Sequence, residues 1–291
     1  MRNRISISDY NGDWAYKGIH QHPRSHRGYL TREELVAFYG TLGVDGVEYT
    51  HCYWADAPVS YPRKLATDAG LPVVCYVFGV DLVQPPLEAQ AAIDEARRLL
   101  DRTAELGARL AMITPGVAKS GVAIGEQQKW VVQGLRACAE HALKIGVTAC
   151  IENLDDPNGR PLSGHGWQCR DICSEVDSPG LRLIYDCGAP MFVEEDPLEA
   201  LSAMTPYVAH VHVKNNRLLA AGEQAERYRE SDSGGRYTGT ALDPGAVRVD
   251  QIVAELRRSE YAGYFLIEYQ GMDDPREVCR HNVEYLRGLL A

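Results

Sequence analysis

Four residues of metal-ligand type stand where short apolar runs give way to polar sequence. Glu152 closes Val147-Thr-Ala-Cys-Ile, Asp186 closes Leu181-Arg-Leu-Ile-Tyr, His212 ends Val208-Ala-His-Val, and Glu268 closes Tyr264-Phe-Leu-Ile. Three carboxylates gathered at one place repel one another and are driven toward protonation unless a cation sits among them. An imidazole added to that set turns the expectation toward one divalent metal ion, with Mn²⁺ favoured and Co²⁺, Mg²⁺, Fe²⁺ or Zn²⁺ as alternatives. Any one of these residues could be an ordinary polar group at a strand end. Their recurrence on successive runs is what carries the reading. His210 is a useful comparison, because it lies two residues before His212 and should face the same side one layer deeper, as core or as a neighbour of the ligands.

Elements far apart in sequence must bring these side chains together. The chain alternates short apolar runs with longer helical patterns, and eight such pairs can be counted, which predicts a single (β/α)8 TIM barrel over residues 1–291. The strands are placed at Arg4–Ser8, Gly46–Tyr49, Pro72–Phe78, Arg109–Ile113, Val147–Glu152, Leu181–Asp186, Val208–His212 and Gly263–Glu268. In such a barrel the carboxyl ends of the strands converge on one face, so Glu152, Asp186, His212 and Glu268 become neighbours. Helices are expected from Thr31, whose Thr31-Arg-Glu-Glu34 reads as a capping box, and over Tyr61–Ala69, Pro86–Leu106, Glu126–Ile145, Trp167–Val176, Asp196–Thr205, Asp250–Ser259 and Pro275–Leu290. Gly43 and Gly146 are placed as helix stops. From about 214 to 247 the alternation breaks into a polar insertion, read as a substrate-covering loop.

A net charge of −10 argues against a nucleic-acid or anionic-membrane surface. No apolar run reaches the roughly 18 residues of a membrane span, and the N-terminus carries no signal-peptide core, so a cytoplasmic protein is expected. Of eight scattered cysteines without a C-x-x-C pair, most read as buried free thiols.

Other polar residues near the strand ends are candidates for the substrate. Lys214 should face inward like His212 and hold a substrate oxygen, or else pair with a carboxylate. Glu48 and His51 at the end of the second strand, with Tyr53 and Trp54, could line a sugar pocket, although core packing explains Trp54 equally well. His165, in the enlarged loop after Glu152, is placed to act as an acid or base. His20, His22 and His26 form a His-rich loop that reads as solvated surface.

The segments Ile151-Glu-Asn153, Tyr185-Asp-Cys-Gly188, His210-Val-His-Val-Lys214 and Leu266-Ile-Glu-Tyr269 resemble the metal-binding strand ends of the sugar phosphate isomerase/epimerase superfamily, whose fold is the xylose isomerase-like TIM barrel. The resemblance covers most of the chain. Its members include ketose 3-epimerases, inosose dehydratases and the catalytic subunits of C-glycoside deglycosidases. It implies a metal-dependent isomerase or epimerase acting by proton abstraction beside a carbonyl through a metal-bound enediolate, with Glu152 and Glu268 as the proton carriers and Arg217 as a substrate contact. Two positions depart from the ketose epimerases: Ala189 stands where they carry a second His, and Asn158 where they carry a second Glu.

Those departures keep a lyase open as the alternative on the same site, either a C- or O-deglycosidase of 3-keto-glycosides or an inosose-type dehydratase. A non-catalytic sugar-binding or assembly subunit stands third. The expected substrate is a small sugar or sugar-derived molecule. The expected assembly is a homo-oligomer, or a hetero-oligomer with a small subunit if the reaction is deglycosylation.

Overall fold

In the computed structural model the protein is described over residues 4–15, 30–154 and 159–291. The expectations for His20, His22, His26 and Asn158 lie outside these residues. The eight predicted strands form β1 (Arg4–Ser8), β2 (Gly46–Thr50), β3 (Val73–Gly79), β4 (Leu110–Thr114), β5 (Thr148–Glu152), β6 (Leu181–Asp186), β7 (Val208–Val213) and, after three further strands, β11 (Tyr264–Ile267). They close into a barrel in the order β1-β11-β7-β6-β5-β4-β3-β2. Registers such as Ile7 beside Ile267 and Cys150 beside Arg182 are parallel. Strands covered on both faces need apolar residues at nearly every position, and for this reason β3 (VVCYVFG) and β5 (TACIE) read as runs, while β1 (RISIS) alternates. The described residues group into two compact units, one within 1–74 and 212–291 and the other within 75–211, with the divisions inside β3 and β7.

The helices are α1 (Arg32–Thr41), the short α2 (His51–Trp54), α3 (Ser60–Asp68), α4 (Gln90–Leu106), α5 (Ile124–Ile145), α6 (Gly166–Val176), α7 (Pro197–Met204), α8 (Val249–Arg258) and α9 (Pro275–Leu290). The capping box at α1 is formed: the Glu34 amide donates to Thr31 Oγ1 at 3.1 Å, and the Thr31 amide donates to Glu34 Oε2 at 2.9 Å. Gly146 caps α5 with φ +72°, a conformation that strains any residue with a Cβ. Helix α4 starts at Gln90 and not at Pro86. The Pro85 carbonyl accepts from the Glu88 and Ala89 amides, so residues 85–89 form a separate turn ahead of it.

The insertion is a small antiparallel sheet and not an irregular loop. Its strands β8 (Asn215–Leu218), β9 (Arg229–Glu230) and β10 (Arg236–Thr240) lie in the order β8-β10-β9. Register Asn215 to Thr240 starts the β8–β10 pairing immediately after β7. Buried Asn215 staples the two ends of the insertion together. Its Nδ2 donates to the Leu242 and Val247 carbonyls at 2.8 and 3.0 Å, while its Oδ1 accepts from the Asn216 and Val247 amides, both at 2.9 Å. Gly245 packs so closely here that a Cβ would lie 2.1 Å from the Asn215 side chain. Among the described residues, no helix is long and apolar enough to cross a membrane.

Candidate metal centre

The strand ends deliver the four predicted side chains to one point. Glu152, Asp186, His212 and Glu268 each offer a ligand atom, and these atoms all lie within 4.8 Å of one another. All four residues are buried. Charge at this density in a buried place needs compensation, and three oxygens with one imidazole nitrogen fit a divalent cation by donor chemistry.

Asp186, His212 and Glu268 are held by neighbours that the strand geometry supplies. Asn153, next to Glu152, brackets the residue that carries the second carboxylate: its Nδ2 donates to the Asp186 carbonyl and its Oδ1 accepts from the Asp186 amide, both at 2.8 Å. Asp186 Oδ1 then accepts from the amides of Gly188 at 2.7 Å and Ala189 at 3.1 Å. Ala189 therefore contributes a backbone donor to the Asp186 carboxylate. Asn11 makes an equivalent bracket around Glu268, donating to the Ile267 carbonyl at 3.1 Å and accepting from the Tyr269 amide at 2.6 Å.

His212 lies between two carboxylates. Its Nε2 is 3.2 Å from Glu48 Oε2 and its Nδ1 is 3.2 Å from Glu268 Oε2. Glu268 Oε1 accepts from Gln270 Nε2 at 2.6 Å and lies 3.8 Å from the buried Lys214 ammonium. Burial works to raise the Glu268 pKa, but Lys214 and His212 reverse that and hold it down at about 2. Asp9, just past β1, behaves in the opposite way. Burial pushes it up to about 7, against three donors: the Trp54 indole at 2.7 Å, the Thr50 hydroxyl at 2.8 Å and the Thr50 amide at 3.0 Å.

The other sequence candidates fall in varied places. Trp54 is fully buried, with its nitrogen on Asp9 and its ring 5.0 Å from that of Tyr49. His51 begins α2. Arg217 lies on β8, about half exposed, and pairs with Glu223 at 2.7 Å. His165 caps α6; its Nδ1 is 3.7 Å from Glu195 Oε2 and its ring stacks on Trp167 at 5.8 Å. The loop that carries His165 returns to the end of β5, where the Leu154 amide donates to the Ser163 carbonyl at 3.1 Å. His210 is fully buried and joins Glu48 and His212 in a second group of close ligand-type atoms. Three contacts were not read from the sequence: Glu48 with His212, and Asn11 and Gln270 beside Glu268. A signal existed for Glu48, since alternation on β2 turns it to the side opposite Val47 and Tyr49.

Comparison with known proteins agrees with this fold. The model of the xylose isomerase-like TIM barrel family matches residues 36–289. An inosose dehydratase of Geobacillus thermodenitrificans (strain NG80-2) is 23% identical over 282 residues, spanning 89% of this chain and 90% of that one. The solved D-allulose 3-epimerase of a Methylomonas species superposes with a TM-score of 0.74 at 16% identity, covering 99% of this chain and 98% of the other. A xylose isomerase-like TIM barrel protein of Mycobacterium smegmatis, solved in complex with magnesium, superposes with a TM-score of 0.71 at 18% identity, covering 99% and 96%.

Proposed function

The chain belongs to the xylose isomerase-like TIM barrel family, and from that premise we propose that it is a divalent-metal-dependent enzyme, Mn²⁺ favoured, that removes the proton beside a carbonyl of a sugar or sugar-derived ketone. The observation that carries this reading is the convergence of Glu152, Asp186, His212 and Glu268. When bound there, the ion would supply Lewis-acid polarisation of the carbonyl and its neighbouring hydroxyl, which acidifies the adjacent C–H. Glu152 is the base that takes this proton. Lys214 holds a substrate oxygen with its ammonium.

Two net reactions can follow, and elimination is the one supported best. Epimerisation requires a second carboxylate to return the proton to carbon on the opposite face. In an elimination one base suffices: the C–H proton goes to Glu152, the β C–O bond breaks, and the leaving oxygen takes a proton from His165. The near-full-length likeness to an inosose dehydratase supports the same outcome. Isomerisation or epimerisation is the second reading, favoured by the presence of both Glu152 and Glu268 in the cluster.

The test is incubation of Mn²⁺-loaded protein with inososes, ketoses and 3-keto-glycosides in D2O. Loss of water or of an aglycone supports elimination, and deuterium at carbon without loss of a group supports epimerisation. Glu152→Gln should slow C–H exchange by about 10²–10⁴-fold. Exchange at the wild-type rate in both Glu152→Gln and Glu268→Gln would sink the mechanism.

A further inference from the structure

Glu48 is a buried carboxylate that the proposed chemistry does not use. It is the third residue of β2, is 2% exposed, and lies 164 residues from His212, yet its Oε2 sits 3.2 Å from His212 Nε2. The other ring nitrogen, Nδ1, lies 3.2 Å from Glu268 Oε2, a carboxylate of the proposed ligand set. A carboxylate on one side of an imidazole accepts that nitrogen's hydrogen and leaves the other nitrogen's lone pair to point away from it. In this ring that lone pair points at the ligand cluster.

We infer that Glu48 is a positioning residue for the metal centre: it accepts the Nε2 hydrogen of His212, fixes the ring's rotation, and presents Nδ1 as the ligand atom. The inference rests on the metal-centre reading above. The geometry argues for this role over direct ligation, because Glu48 touches the nitrogen opposite to the one that faces Glu268. Outer-sphere carboxylates of this kind typically contribute about 10–100-fold to metal affinity.

The test is Mn²⁺ binding to the metal-free protein by calorimetry without substrate, in wild type, Glu48→Leu and Glu48→Gln. Glu48→Leu removes the acceptor and should weaken Mn²⁺ by about 10–100-fold. Glu48→Gln, with a carbonyl that still accepts from Nε2, should recover most of that loss. Equal affinity of Glu48→Leu and wild type overturns the inference. So does a Glu48→Gln protein as weak as Glu48→Leu, which would make the charge itself a ligand. If Glu48→Leu fails to fold, ¹⁵N NMR of His212 in Mg²⁺-loaded wild type decides: hydrogen on Nε2 is expected, and hydrogen on Nδ1 refutes. The two readings fail separately. A wild type that binds no Mn²⁺, and no more than Glu268→Gln, sinks the metal centre; a wild type that binds while Glu48→Leu binds equally sinks only the role of Glu48.

Discussion

Asn215→Ala tests whether the insertion is a fixed part of the molecule. The side chain is 1% exposed and makes four hydrogen bonds, two donated to the Leu242 and Val247 carbonyls and two accepted from the Asn216 and Val247 amides. Each contributes about 1 kcal/mol net, and truncation leaves the backbone partners buried, so a loss of roughly 3–4 kcal/mol is expected. Asn215→Asp keeps both accepted bonds but turns a carboxylate oxygen toward two carbonyls, so it should lose more than half as much. Urea denaturation measures the change as a lower midpoint at constant slope. Trypsin adds the local view, because Arg227, Arg229 and Arg236 lie within the insertion and should become cleavable sooner in the variant. A loss below about 1 kcal/mol together with an unchanged digestion pattern would mean that the staple does not hold the sheet, and the reasoning fails.

Two further outcomes follow from other sites. Because burial raises the pKa of Asp9 from 3.8 to about 7, the folded chain holds a proton that the unfolded chain releases, so this residue's contribution to stability is full below about pH 4 and is lost as pH rises through 7. The urea midpoint of wild type minus that of Asp9→Asn, followed across this range, should fall with rising pH, and a flat difference would refute the assignment. A Cβ on Gly166 would lie 2.7 Å from the Ala200 carbonyl oxygen of α7, so Gly166→Ala should push α6 outward at a cost of about 1–3 kcal/mol; a melting temperature equal to wild type would show the contact to be slack.

The barrel was legible because strands such as β5 and β6 are blocks of mostly apolar residues ended by a carboxylate, and a block of that kind does not depend on partners distant in sequence. The four ligand types were legible for the same reason, as strand ends of one sheet must meet. The capping box at Thr31 and the stop at Gly146 are local chemistry and were read correctly. The strands of the insertion were not visible. β9 is two residues long and β10 is evenly half-buried, so neither carries an alternation of apolar and polar residues. The supports of the ligands were hidden by distance. Glu48 reaches His212 across 164 residues, Asn11 reaches Tyr269 across 258, and Asn153 reaches Asp186 across 33. No spacing rule within one element could have linked those pairs.

Three buried asparagines use both halves of the amide at once. Asn153 brackets Asp186, Asn11 brackets the peptides on either side of Glu268, and Asn215 closes the insertion. Full burial and the engagement of both amide ends hold the Asn11 and Asn153 side chains away from the following backbone nitrogen, the atom that must attack the amide in deamidation. Asn11 precedes Gly12, the neighbour that least hinders that cyclisation, so the same bonds that aim the frame also shield it from ageing: a stored folded sample should keep Asn11 as asparagine.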